Sequence, residues 1–136
     1  MTDASGIKAV DSLSAYEFTV EINGETISGI FSVSGLTSYR EDEIYPPLII
    51  AKMVQQNPNS IFNKWARETV AGKMSVRDVA IVAVDEGVET RRWVYKNSYI
   101  TAIDFSTFDT ASSELVEERV TIKAERVEEH WPNEGK

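Results

Sequence analysis

The stretch that most constrains this chain runs from Tyr16 to Arg40, YEFTVEINGETISGIFSVSGLTSYR. Tyr16, Phe18, Val20 and Ile22 alternate with Glu17, Thr19 and Glu21, the period-2 pattern of a strand with one buried face. Asn23-Gly24 follows at once, and both residues tolerate the positive φ of a two-residue type I′ turn. The return strand then places Ile27, Gly29, Phe31 and Val33 on one face and ends in a bend at Gly35-Leu36. The segment predicts a β-hairpin with Phe18, Val20, Phe31 and Val33 in the core.

Further along, Val76 to Val84 is rich in β-formers, and Asp85-Glu86-Gly87 has turn chemistry. From Glu89 to Phe105 the alternation resumes, Arg91, Trp93 and Tyr95 opposing Arg92, Val94 and Lys96. A bulge is expected at Asn97-Ser98, beyond which the apolar register moves to Tyr99, Ile103 and Phe105. Residues 106–113 read as a polar loop. Glu114 to Val127 reads as a long last strand: Val116, Val120, Ile122 and Ala124 face the core, while Glu117, Arg119, Thr121, Lys123 and Glu125 line the other side. The chain is then expected to end in a tail over 128–136.

Two segments break the β pattern. Asn57-Pro58 predicts the start of a helix over 58–71, with Ser60 as a rival cap and Gly72 as its left-handed end. Ile61, Phe62, Trp65, Ala66 and Val70 form its apolar stripe, with Phe62 and Trp65 in the core. Asn63, Lys64, Arg67 and Glu68 are expected to face water. Ahead of the helix, residues 37–57 lack a clean period, and Pro46-Pro47 excludes a central strand or helix interior there. They are expected to be an extended loop or arm, with a short strand at 48–53 as an option. The sum is about six strands and one helix: a mainly β fold, a small antiparallel barrel or sandwich with one packed helix.

With 136 residues the chain fits a single domain, with a lead-in over 1–13. It has no cysteine, so disulfides, thiol nucleophiles and thiolate metal sites are excluded. The first residues lack the basic-then-apolar pattern of a signal peptide, and no apolar run approaches a membrane span. Assembly in the cytoplasm without membrane insertion is the corresponding expectation. A formal net charge of −8 disfavours stable nucleic-acid binding, whose affinity comes from counterion release by Lys and Arg.

Candidate chemistry is sparse. His130, the one histidine, lacks any recognisable triad spacing. Carboxylates sit in runs such as Glu41-Asp42-Glu43, which are usually solvated faces. Asp85, Glu86 and Glu89 could hold calcium but lack the spacing of a dedicated loop. Trp93 beside Arg91 and Arg92 suits base stacking, yet a cross-strand aromatic on a half-buried sheet explains it more simply. No catalytic, cofactor or metal residues are expected. One reading is therefore a monomeric β-barrel binding module using Trp93 with Arg91 or Arg92.

The hairpin carries a second reading. F-x-V-E-I-N-G, returning through F-S-V-S-G-L and then Y-R-E, resembles the tail-tube family, the inner tube proteins of contractile phage tails and related contractile injection particles. The resemblance continues through the Trp65 helix, the strands around Trp93 and the charged last strand. It implies a non-enzymatic subunit forming stacked hexameric rings, a hollow tube that sheath contraction drives through a target envelope. The implied partners are other copies, a sheath protein, baseplate or spike and tube-terminating proteins, and cargo in the lumen, within a phage tail or an extracellular or membrane-attached particle. It also admits a baseplate tube initiator or a type VI secretion ring protein. Carried over by position, Tyr39, Arg40 and Glu41 begin a loop that reaches neighbouring subunits, with Tyr45, Pro46 and Pro47 further along it. This chain departs from the family after Glu41, running Asp42-Glu43-Ile44-Tyr45 where a glycine is expected. Glu117, Arg119, Thr121, Lys123 and Glu125 become candidates for the lumen wall.

Overall fold

A computed structural model describes residues 11–132; most of the expected lead-in and the last residues of the tail lie outside them. Eight strands and one helix follow in the order β1 (Phe18–Ile22), β2 (Glu25–Ile27), β3 (Ile30–Ser34), β4 (Leu48–Met53), α1 (Ile61–Val70), β5 (Arg77–Asp85), β6 (Val88–Phe105), β7 (Glu117–Lys123) and β8 (Arg126–His130). All strand pairings are antiparallel. The path β2-β1-β5-β6-β7-β4-β3 does not close, and β8 pairs with β6 off that path. The fold is mainly β with a single helix, sandwich-like, and the strand count is eight where the pattern suggested about six.

The two extra strands arise where the chain changes leaf. Asn23 and Gly24 have φ of 49° and 85°, as a type I′ turn requires. β2 then pairs with β1 for three residues only. At Gly29, φ +81°, the chain swings away, and β3 pairs with β4 instead. The Gly29 carbonyl accepts the Met53 N–H at 2.9 Å, which closes this corner. The expected single return strand is thus two strands in two leaves. A register shift between Ile30 and Ser32 turns Phe31 outward, leaving it 43% exposed rather than in the core. Ile30 and Val33 pack against the core instead.

β6 spans both leaves. Its first part pairs with β5 on one edge and β8 on the other, and its last part, Tyr99–Phe105, pairs with β7. Tyr99↔Lys123 and Lys96↔Arg126 share one register, so β7 and β8 are one strand interrupted at Ala124-Glu125. The expected strand over 114–127 therefore starts later and runs to His130, and residues 128–130 belong to the sheet rather than to a tail. The first leaf is β2-β1-β5-β6-β8; the second is β6-β7-β4-β3. β4 lies between β7 and β3, so residues 48–53 of the expected arm form an inner strand of the second leaf.

Asn97, φ 52°, sits at a bulge between the Arg77↔Ser98 and Val79↔Tyr95 pairs. A second irregularity between Ile100 and Ala102 shifts the register again. Together they bring Ser98 and Ile100 inward and leave Tyr99 45% and Phe105 52% exposed, against expectation.

Side chains of both leaves meet in one core that includes Val20, Ile22, Leu48, Ile50, Ile81, Tyr95, Val120 and Ile122. The helix caps it with Phe62 and Trp65, whose rings stack with centroids 6.1 Å apart. Ser60, not Asn57, is the N-cap: its Oγ accepts the Asn63 N–H at 3.4 Å. The helix starts at Ile61, later than expected, because Asn57 accepts the Asn59 N–H in a turn of its own. Asn63 and Glu68 are engaged rather than solvated, Asn63 with the Gln55 and Asn57 carbonyls and Glu68 with Arg77 and Ser75. Val70, expected inward, is 82% exposed.

Lys52 is fully buried, with Nζ 2.9 Å from Glu118 Oε1, 2.9 Å from the Met53 carbonyl and 5.4 Å from the Phe62 ring centroid. The two residues face each other across the β4–β7 ladder. Removing one partner of such a pair costs about 3–5 kcal/mol, since the other charge is left without water or counter-charge.

Candidate assembly surfaces

A sheet edge exposes unpaired N–H and C=O groups, and what guards it decides whether another chain can add there. The first leaf is guarded. At one end β2 is three residues long. At the other, β8 reads Arg-Val-Glu-Glu-His, charged at most positions, with Arg126 Nε 2.9 Å from Glu128 Oε2. Among the described residues, the second leaf is bare. β3 reads Ile-Phe-Ser-Val-Ser without a charge or a proline. At the other end Tyr99–Phe105 pairs with β7 on one edge, and among the described residues no strand pairs its opposite edge. Asp104 is the only charge in that segment.

The outer face of the second leaf carries the candidate lumen positions. Glu117, Arg119, Thr121 and Lys123 project opposite to the buried Glu118, Val120 and Ile122. Arg119 lies across the ladder from Asp104 and 2.9 Å from Glu117. Around them sit the small Ala51, Ala102, Ser32 and Ser34, and the larger Ile49, Met53 and Tyr99. Glu125 stands apart, at the β7–β8 break, where it accepts from Asn97 Nδ2 at 2.8 Å.

The loop between β3 and β4 is pinned at its root and free at its tip. Gly35 has φ +84°, and a Cβ there would lie 2.2 Å from the Pro47 carbonyl oxygen, so no other residue fits without moving the backbone. The Thr37 N–H donates to the Tyr95 hydroxyl at 2.9 Å, and Trp93 Nε1 donates to Ser38 Oγ at 2.7 Å. Burial pushes the Tyr95 phenol above its ordinary value. Further out, Arg40 makes a two-point bond to Asp42, which holds that carboxyl below its usual range; the Ile44 N–H adds to the effect. Glu41 and Pro46 are exposed, and Tyr45 and Pro47 are half-buried. Tyr39 and Ile44 are 75% and 71% exposed, apolar groups offered to solvent at the tip.

Other residues singled out by sequence have structural partners. Trp93 is buried under this loop. Arg91 lies 3.7 Å from the Trp131 ring centroid and 5.4 Å from that of Trp93, with Nε 3.3 Å from Glu129 Oε2 but without a well-directed hydrogen bond. Arg92 joins Glu89 and Glu21, so Glu89 points away from the turn and does not converge with Asp85 and Glu86. Glu86 and Gly87, φ 48° and 82°, close a two-residue hairpin turn. His130 is exposed, 3.5 Å from Glu128. Among the described residues no group of three or more His, Asp or Glu side chains could hold a metal, and no helix is long and apolar enough to cross a membrane. A groove of about 420 Å³ opens between the leaves near Leu13, Phe31, Leu36, Ile81 and Trp93. Sequence reasoning missed Lys52 and Glu118 because each sits in an ordinary strand pattern and meets the other only through non-local pairing.

No family model matches the sequence, and no curated protein matches it. Solved structures do. The chain is similar to one in the anti-feeding prophage tube-terminating cap, with 21% identity, TM-score 0.72 and coverage of 96% and 99% of the two chains. It is similar to one in an extracellular contractile injection system sheath-tube complex, with 18% identity, TM-score 0.67 and coverage of 96% and 99%. It is also similar to Hcp2 from Salmonella typhimurium, with 10% identity, TM-score 0.59 and coverage of 85% and 87%. At these identities the likeness is one of fold, and it covers 85% or more of this chain in each case. A mainly β chain with one helix, a guarded leaf and a bare leaf has the tail-tube fold shared by contractile injection particles and Hcp proteins.

Proposed function

We propose that this chain is a structural inner tube subunit, assembling into hexameric rings that stack into a hollow tube within a sheath. The observation that carries this reading is the pair of bare edges on the second leaf. An apolar, uncharged β3 and Tyr99–Phe105, whose edge away from β7 is unpaired among the described residues, sit at opposite ends of one four-stranded leaf. Edges at opposite ends suit head-to-tail pairing, in which each copy offers a different surface to each neighbour, and such contacts close into rings when the rotation allows. The outer face of that leaf would become the wall of the tube, with Glu117, Arg119, Thr121 and Lys123 toward the lumen and Glu125 at the end of the row. The loop carrying Tyr39, Arg40, Glu41, Ile44, Tyr45, Pro46 and Pro47 would reach a neighbouring copy, covering its exposed apolar tip.

The chain would act mechanically rather than as an enzyme. Sheath contraction would drive the tube through a target envelope, and cargo would pass along the lumen. Subunits would assemble in the cytoplasm onto a baseplate or spike and be closed by a terminator. The likeness to chains in baseplate and cap structures supports a second reading, a single adaptor or terminating ring of the same fold.

Negative-stain electron microscopy across a concentration series, with solution mass alongside, tests the proposal. Stacked rings with a central hole support the main tube, and single rings support the adaptor. A strict monomer that ignores a pre-formed tube or baseplate seed overturns both. Because the chain has no cysteine, Thr121→Cys gives one thiol. It is expected to react fully in subunits and only near broken ends in long tubes; uniform labelling of intact tubes from outside would move the wall to another face.

A further inference from the structure

Basic residues are unevenly placed. Between residues 57 and 77 stand Lys64, Arg67, Lys73 and Arg77 with a single acid, Glu68, in a chain whose formal net charge is −8. Glu68 accepts from Ser75 Oγ at 2.7 Å and pairs with Arg77 at 2.9 Å, which together hold its carboxyl below the usual range. Lys64 lies close enough to add to that effect, and Arg67 and Lys73 have no carboxylate partner among the described residues. Lys64 and Lys73 make no salt bridge among the described residues, and Arg67 donates to the Pro58 carbonyl at 2.7 Å, a contact that satisfies its N–H but not its charge. Lys64, Arg67 and Lys73 line one depression along α1 and the turn after it, together with Glu68 and Ala71. Next in the chain to Ala71 and Lys73 of that lining, Val70 is 82% and Met74 93% exposed, among the largest exposures of any apolar side chain of the described residues.

We infer that the outer side of α1 and the turn after it form a docking surface for a different protein that presents carboxylates around a small apolar contact. Charge complementarity selects an acidic partner. Val70 and Met74 select a protein over nucleic acid, because a phosphate backbone would leave both side chains in water. The position selects a partner outside the ring. Phe62 of α1 lies against Lys52 on the inner side of the second leaf, so α1 covers the side opposite the face proposed for the lumen. That last step rests on the tube reading; the charge and apolar arguments do not.

The test uses the full chain and two probes, a Glu- and Leu-containing amphipathic peptide and a DNA duplex of equal charge, read by fluorescence anisotropy. The peptide is expected to bind, to weaken with added salt and to lose at least about tenfold in affinity in the Lys64→Glu, Arg67→Glu, Lys73→Glu variant. Val70→Ser with Met74→Ser is expected to weaken the peptide and leave any DNA binding unchanged. Peptide binding that survives the triple reversal, or duplex binding tighter than peptide binding, overturns the proposal. Circular dichroism melting confirms that each variant is folded. Ring formation is scored separately: a wild type that binds the peptide but never forms rings retains the patch and loses the tube reading, while rings without peptide binding do the reverse.

Discussion

The two leaves of this molecule are built from the same kinds of strand and differ at their margins. The first leaf is finished: its last strands are short or charged, and Arg92, held by Glu89 and Glu21, lies over the outer sides of Ala80 and Val82. Those two carboxylates and burial act on Arg92 in opposite directions, and the carboxylates win, raising its pKa. The second leaf has an equally well-buried inner face but unfinished edges. The lesson is that core quality and edge protection are separate properties of a sheet. A sheet can be stable within the subunit and still be open to addition.

Changing edges should have the largest effect. Phe31→Glu with Ser34→Lys on β3 is expected to abolish ring formation, seen by microscopy and sedimentation, while the melting temperature of the subunit stays within a few degrees, since both side chains are exposed. Reversing charge on the finished leaf, Glu128→Lys, is expected to leave assembly intact. Equal sensitivity of the two leaves would erase the contrast drawn here.

Inside the second leaf, Glu118→Leu leaves the Lys52 ammonium buried and alone, and urea unfolding is expected to show a loss of about 3–5 kcal/mol. Adding Lys52→Met should recover most of it. If the single variant costs nothing, this leaf is not ordered in the free subunit, and the separation of core from edge fails. At the root of the loop, Gly35→Ala combines a positive φ with a clash against Pro47; a loss of about 2–4 kcal/mol is expected by the same measurement.

Acid should act more weakly. Lys96, with the Asn97 N–H, holds the Asp78 carboxyl below its usual range; Arg92 does so for Glu89, and Arg126 for Glu128. A depressed folded-state pKa contributes stability that is present above the ordinary carboxylate range and lost as pH falls through the folded value. Melting temperature is therefore expected to hold from neutrality to the ordinary carboxylate range and to fall below it. Asp78→Asn should remove a share of that dependence, on the order of 1 kcal/mol after solvent screening. A fall that begins well above the carboxylate range would point to other groups.

How much of this was readable beforehand follows from how local each signal is. The Asn23-Gly24 turn, the left-handed Gly72 and the buried Phe62-Trp65 pair depend on residues within one turn of chain, and the sequence states them directly. The corner at Gly29 depends on β4 competing with β1 for the return strand, and β4 lies some twenty residues downstream. Phe31, Tyr99 and Phe105 face outward because bulges reset the alternation, and a bulge is set by the opposing strand. Lys52 hides in the run Leu-Ile-Ile-Ala-Lys-Met, where only its non-local partner Glu118 explains a buried cation. The candidate assembly surfaces were less legible still. Exposure of a strand edge is defined by what fails to pair with it, and no local pattern encodes that.

The corner at Gly29 has a further consequence. β2 and β3 are consecutive in the chain and lie at the far ends of the two leaves, so the leaves are tied there by a covalent link as well as by the shared β6. Under a pull along one leaf, hydrogen-bonded ladders can slip, whereas a peptide link cannot. The subunit resembles a book with a strap across its open side: the leaves cannot part without tearing β2 from β1 or β3 from β4. A load entering through one leaf must emerge through the other.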